Sequence, residues 1–185
     1  MIGARISLKG VISMLKAMDV ARYFLYLDTD GKMFRDQFVT KHGKTFREGN
    51  ARLNKYLHIA QNLYIAKMGC KLFSDDLYAF DNGAVVPSVR EKYMSIQAVK
   101  RTAPALPDAY TEFLDKVYRV LKNASLDELI EISHEDSEWR ERNPHRENQR
   151  MNSLARADEY KAQYADMLKI MARMAGCYNF FYENF

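Results

Sequence analysis

Helical periodicity dominates the chain: apolar residues recur at intervals of three and four, the spacing that lines one face of an α-helix. In "SMLKAMDVARYFLYL" the positions Met14, Ala17, Met18, Ala21, Phe24 and Leu25 share a face, Ser13 is placed to cap the helix start, and residues 28–31 end it. The longest row lies in "ARLNKYLHIAQNLYIAKMG", through Leu53, Tyr56, Leu57, Ala60, Leu63, Tyr64 and Met68; His58 falls off the apolar stripe, and Gly69 stands where a left-handed C-terminal residue belongs. "DAYTEFLDKVYRVLKNA" repeats the pattern through Tyr110, Phe113, Leu114, Val117, Tyr118 and Leu121. Ser125 with Glu128 three positions on forms a capping box for a helix over "LDELIEISH". A last long helix, roughly 157–175, packs through Tyr160, Tyr164, Met167, Leu168 and Met171.

Two stretches depart from this spacing. "KMFRDQFVTKHGKTFREGN" is basic, weakly periodic and broken at Gly43, and predicts a short helix followed by a loop. In "CKLFSDDLYAFDNGAVVPSVREKYMSI" the pair Asn82-Gly83 signals a turn, and Val86 before Pro87 is pushed toward extended geometry. A short extended piece is expected at 84–86, with Pro87 opening a helix that runs through Tyr93. Residues 143–152 read as a polar loop. The expected architecture is mainly α: a single compact helical domain over 1–185, with at most a tiny β element around residues 77–86.

With 185 residues, 48% of them hydrophobic, the chain is long enough to bury a real core as one domain. Arg5, Lys9, Lys16, Asp19 and Arg22 interrupt every N-terminal window that could cross a bilayer or form a signal-peptide core, so a cytoplasmic protein without a membrane partner is expected. Cys70 and Cys177 are too few for a zinc set or a disulfide framework and read as reduced thiols. The net charge of +4 is modest but unevenly spread. Between positions 32 and 55 there are seven Lys/Arg against two acids, whereas positions 127–138 hold six acids and no Lys/Arg. Such asymmetry suits a surface that meets a charged partner. It makes Lys41, Lys44 and Arg47 on the basic side, and Glu131, Asp136 and Glu138 on the acidic side, the partner-binding candidates.

The stretch "IEISHEDSEWRER" places a histidine beside acids and, five residues on, the only tryptophan. His134-Glu135 lacks the second histidine of a zinc helix, and His42, His58 and His145 are scattered, so no metal is expected. No Gly-x-Ser-x-Gly elbow occurs, and the eight glycines are isolated, so neither a serine-hydrolase turn nor a phosphate loop is present, and no cofactor is expected. A histidine at a helix C-terminus is stabilised by the dipole without any substrate, which favours a structural His134. Acid–base chemistry by His134 with Glu135 or Asp136 is the enzymatic alternative. The basic stretch with Phe34, Phe38 and Phe46 interleaved gives a second alternative, nucleic-acid binding, although no reading motif accompanies it. The twelve tyrosines and ten methionines fall mostly on the helical stripes and read as core.

Three segments in order resemble the Panacea-domain family, which includes SocA-like antitoxins and phage-associated GepA-like proteins. "RLNKYLHIAQNLYIAKMGCKLFSDDLYAFDNGAVVPSV" is similar to the central family motif through Leu53, Lys55, Leu57, Gln61, Gly69, Leu72, Phe73, Ala79, Phe80, Gly83, Val85, Val86 and Pro87. "SLDELIEISHEDSEWRER" is similar through Leu129, His134, Glu135 and Trp139, and "DVARYFLYL" sits where the family has its first helix. Ala84 stands where the family has proline, Ser133 where it has threonine, and Glu138 where a proline precedes the tryptophan. The segment 32–49 is also longer than the family's connector.

These motifs make sense as scaffold. Gly83 supplies positive φ for a tight turn, Pro87 fixes the exit, and Trp139 pins the acidic corner to the core with its indole N–H seeking an acceptor. The resemblance implies a non-catalytic antitoxin that neutralises a cognate protein toxin by direct binding, with an adaptor that hands the toxin to a protease as a variant.

Overall fold

The computed structural model describes residues 14–41, 43–99, 102–143 and 148–163, together with positions 166 and 169. In chain order the elements are α1 (Ala17–Leu27), β1 (Phe38–Lys41), β2 (Lys44–Arg47), α2 (Glu48–Met68), β3 (Tyr78–Phe80), β4 (Gly83–Val85), α3 (Pro87–Ala98), α4 (Asp108–Leu121), α5 (Leu126–His134) and α6 (Ser137–Arg142). A 3-10 turn, Ser153–Arg156, leads into helical residues 157–163. The fold is mainly α, and among the described residues no helix is long and apolar enough to cross a membrane.

The longest periodic stretch becomes the centre. α2 packs against α1, α3, α4, α5 and both hairpins, so Leu53, Tyr56, Leu57, Ala60 and Leu63 are sealed from water. Phe24 of α1 and Phe34 of the following loop meet the Tyr56 ring edge-on at 5.3 and 5.1 Å, an arrangement that aligns ring edge with ring face. α4 brings Phe113, Leu114 and Val117 to the same core, as its stripe requires. Met68, at the C-terminal end of the α2 row, is 56% exposed because the helix has run past the core by that turn.

Helix ends follow local chemistry. Gly69 takes φ 69° and closes α2 with its N–H on the Ile65 carbonyl at 2.8 Å. Both arms of the Ser125–Glu128 capping box are formed at α5. The α1 start differs from expectation: Ser13 lies outside the described residues, and the Ala17 N–H is held by Asp75 Oδ2 at 2.8 Å from a loop far along the chain. Also outside the described residues are His42, His145, Tyr164, Met167, Leu168, Met171 and Cys177. Within the last helix, Tyr160 is buried as its spacing predicts.

The segment expected as a short helix and loop is instead an antiparallel hairpin, with Phe38 opposite Arg47 and Lys41 opposite Lys44. Val39, Thr40, Thr45 and Phe46 favour a pleated strand, and Gly43 at φ 72° turns the two-residue connection. The second hairpin forms where the extended piece was expected, with Gly83 at φ 94° and Tyr78 opposite Val85. Pro87 opens α3, which runs on to Ala98 rather than ending at Tyr93.

The first hairpin is seated on α2 at Gly49. Its N–H donates to the Arg35 carbonyl at 3.1 Å, and a Cβ there would lie 2.2 Å from Tyr93 Oη and 2.5 Å from that carbonyl. Because Gly49 leaves no room for a methyl, Gly49→Ala is expected to destabilise the protein by roughly 1–3 kcal/mol. A urea titration monitored by circular dichroism reads this, and an unchanged midpoint would contradict the seating.

Candidate functional site

The functional region is built on the polar residues of α2, which are nearly all buried. Arg52 donates to the Ala124 carbonyl at 2.6 Å, Asn54 Oδ1 accepts the Val86 N–H at 2.9 Å, and Lys55 Nζ donates to the Ala84 carbonyl at 2.9 Å. Gln61 Oε1 accepts the N–H groups of Leu72 and Phe73 at 2.9 and 3.2 Å. These side chains satisfy backbone groups around the helix that point away from any paired strand. β4 shows the pattern most clearly, because its outer edge is met by Asn54, Lys55 and the Ser133 hydroxyl.

One turn along, His58 overturns the sequence expectation. It is 1% exposed and forms the middle of a buried chain: Nδ1 meets Ser133 Oγ at 2.9 Å, and Nε2 meets Asp136 Oδ2 at 2.5 Å. Asp136 also accepts from Asn62 Nδ2 at 2.8 Å, from Tyr160 Oη at 2.9 Å and from the Glu138 N–H at 2.8 Å. One carboxylate thereby ties α2, α6 and the terminal helical segment together. Burial alone would raise its pKa, but the His58 hydrogen bond and charge, with the Asn62 and Tyr160 bonds, bring it down to about 2.

Serine, histidine and aspartate in a row are the residue types of a hydrolytic triad. Here the arrangement fastens rather than attacks. Ser133 has no exposed surface, its oxygen already accepts the Ala84 N–H at 3.2 Å, and a Cβ on Gly83 would lie only 2.3 Å from it. No substrate carbon reaches that oxygen without displacing the Gly83–Ala84 backbone. Among the described residues, no three His, Cys, Asp or Glu side chains converge as a metal set would.

The corner that began as a candidate active site is a packed joint. His134 stacks on Trp139 with centroids 4.0 Å apart and planes 11° from parallel, and the indole N–H donates to the Phe80 carbonyl at 2.9 Å. That carbonyl is the acceptor the tryptophan was expected to seek. Asp136 and Glu138, proposed from the charge pattern as partner-binding acids, are buried instead. Glu138 accepts from Arg142 and Arg156 at 3.1 Å and from the Asn152 N–H at 2.8 Å; burial opposes its ionisation, but these donors hold its pKa below the usual range. Glu131 and Glu135 face solvent.

On the basic side, Lys41, Lys44 and Arg47 all lie on the first hairpin, and each meets an acid: Asp127, Asp81 and Asp36 respectively. Of the scaffold candidates, Leu53, Ala79, Gly83, Val85 and Val86 are buried, while Phe80 and Pro87 are half-buried around the second hairpin. Between the two hairpins opens a cleft of about 770 Å³. It is lined by all of β2, by Phe80 and the 81–83 turn, by Arg90 and by Lys55.

Lys55 is the chemically unusual member of this wall. It is fully enclosed, no carboxylate meets it among the described residues, and desolvation lowers its pKa to about 7. Its unfolded counterpart holds the proton up to about 10.5, so the cost of the buried charge is fully present below about pH 7 and is relieved as pH rises toward 10.5. Stability should therefore increase between about pH 7 and pH 9, and Lys55→Met should flatten that rise when denaturation midpoints are compared. Asp136 behaves oppositely: its ionised form stabilises the fold above about pH 4, and that contribution, about 2 kcal/mol, is lost as pH falls toward 2. The stability gap between the wild type and Asp136→Asn should accordingly shrink over that acid range; a constant gap would contradict the network.

Comparison with known proteins adds a likeness over part of the chain. No curated protein and no solved structure matches the chain. Residues 53–140 match the family model described as antitoxin SocA-like, Panacea domain. That span runs from the polar face of α2 to the Trp139 joint and contains Lys55, His58, Gln61, Ser133 and Asp136. The hydrogen-bonded spine and the corner that closes on it thus both lie within the segment that is similar to the SocA-like Panacea domain.

Proposed function

We propose that the protein is the antitoxin of a toxin–antitoxin pair and neutralises its cognate protein toxin by direct binding in the cytoplasm. The match of residues 53–140 to a SocA-like antitoxin domain carries this reading. The geometry supports a binding role over a catalytic one: the residues with acid–base or nucleophilic chemistry are internal fasteners, while the surface offers a cleft and a charged hairpin. Neutralisation would proceed by covering the toxin's working surface, with an interface of about 1,600 Å² anchored by a few aromatic or arginine side chains. The chain acts as a single domain, in a pair carried by a phage or prophage, as the resemblance to phage-associated proteins suggests.

The nucleic-acid reading loses support because the hairpin cations are paired with acids, which weakens the field a phosphate backbone would meet. An adaptor that delivers the toxin to a protease would use the same binding step and differ only in shortening the toxin's lifetime.

The direct test expresses the product of the adjacent reading frame with and without this protein. Growth arrest by the neighbour alone, relieved on co-expression and accompanied by co-purification, is the expected result. A neighbour that is harmless alone, or equally lethal in company, overturns the reading.

A further inference from the structure

The outer edge of β3 is covered by the chain itself. Residues 149–151 run antiparallel to it: the Ala79 N–H donates to the Gln149 carbonyl and the Met151 N–H to the Leu77 carbonyl, both at 2.8 Å, with Arg150 opposite Tyr78. From there a strap continues through the 3-10 turn to Tyr160, and its side chains meet acids along the way. Arg150 grips both oxygens of Asp76, at 2.8 and 3.0 Å. Arg156 reaches Glu138 at 3.1 Å and also pairs with Glu141, and Tyr160 Oη donates to Asp136 at 2.9 Å.

The strap sits on this face as a peptide ligand would. Its residues lie beyond the matched segment, whereas Leu77, Ala79, Asp136 and Glu138, which it covers, lie within it. Tyr160 packs on Ile65 and Ala66 in a cluster separate from the main core, which only Met151 of the strap enters. The remaining ties are ion pairs with exposed arginines and two backbone hydrogen bonds, so the strap can open while the core stays folded. Opening changes the charge balance of the face. The body supplies Lys71 to Asp76 and Arg142 to Glu138, but among the described residues Glu141 meets no cation other than Arg156. What is bared is an unpaired strand edge beside carboxylates that have lost two arginines.

We propose that this face is a docking surface for an extended, arginine-bearing segment of a partner protein, and that residues 149–160 are the intramolecular ligand such a segment displaces. The strap shows the recognition chemistry directly: backbone pairing with Leu77 and Ala79, one arginine on Asp76 and another between Glu138 and Glu141. A polynucleotide has no amide ladder for β3 and is repelled by the carboxylates. The inference stands apart from the antitoxin reading, since it concerns the surface and not the identity of the partner.

The test uses the full chain and three fluorescein-labelled peptides: residues 148–163, the same sequence with Arg150→Glu and Arg156→Glu, and an alternating Arg-Thr decapeptide. In the wild type the strap competes from within at an effective concentration in the millimolar range, so all three should bind weakly. In Arg156→Ala or Tyr160→Phe the internal competitor loses a tie, and the strap peptide and the Arg-Thr peptide should bind roughly tenfold more tightly, the charge-reversed peptide not at all. Thermal melting verifies that the variants fold. Hydrogen exchange of the wild type gives a reading that needs no variant: the amides of Ala79 and Met151 should exchange faster than those of residues 57–63 in α2. Failure of both folded variants to bind, equal binding of the charge-reversed peptide, binding of the strap peptide without the Arg-Thr one, dimerisation through exchanged straps in place of peptide binding, or exchange of Ala79 and Met151 only together with α2 overturns the proposal.

Discussion

Everything else in this fold depends on how α2 satisfies the backbone that surrounds it. Leu72–Phe73, Ala84, Val86 and Ala124 are buried in turns and short strands, where an unpaired amide or carbonyl costs roughly 1–3 kcal/mol. Gln61, Lys55, Asn54 and Arg52 supply the missing partners from one helix. A helix with apolar side chains all round could bury the same area, but it would leave these segments without donors and acceptors. The polar face therefore decides which irregular path the chain takes, and the apolar face holds that path closed.

Asp136 applies the same logic to charge. A lone buried carboxylate would be expelled or protonated, yet four donors converge on this one from three parts of the chain. Such a centre resists piecemeal change, since loss of any donor leaves the others facing a less well solvated anion. Lys55 stands at the other extreme: among the described residues it has a single carbonyl partner and no counter-ion. His58 and Asn62, which hold Asp136, sit on the turns of α2 next to Lys55, so one helix supports both a saturated and an unsaturated ionic site.

The helices were legible because their cores obey a simple period: Leu53 to Leu63 and Tyr110 to Leu121 read correctly from spacing alone. Caps set by adjacent residues, such as Ser125–Glu128 and Gly69, were equally plain. Tertiary partnerships were not. Asn54, His58 and Asn62 recur every four residues, and that row was the available signal, but a polar row looks the same whether it meets water or buried backbone. Asp136 and Glu138 misled for a related reason: a run of acids resembles a solvated face until Tyr160, Arg156 and Asn152 fold back onto it from later in the chain. The first hairpin escaped notice because four-residue strands carry too little alternation to outweigh a basic, loop-like composition.

The placement of that hairpin has an evolutionary consequence. It precedes the matched segment, and its polar ties to the body are largely solvent-exposed ion pairs, worth little individually. Substitutions along β1 and β2 therefore leave the spine of α2 intact, provided Gly49 keeps its seat. The eight strand positions can therefore drift, changing the surface that the hairpin presents, without passing through an unfolded intermediate sequence.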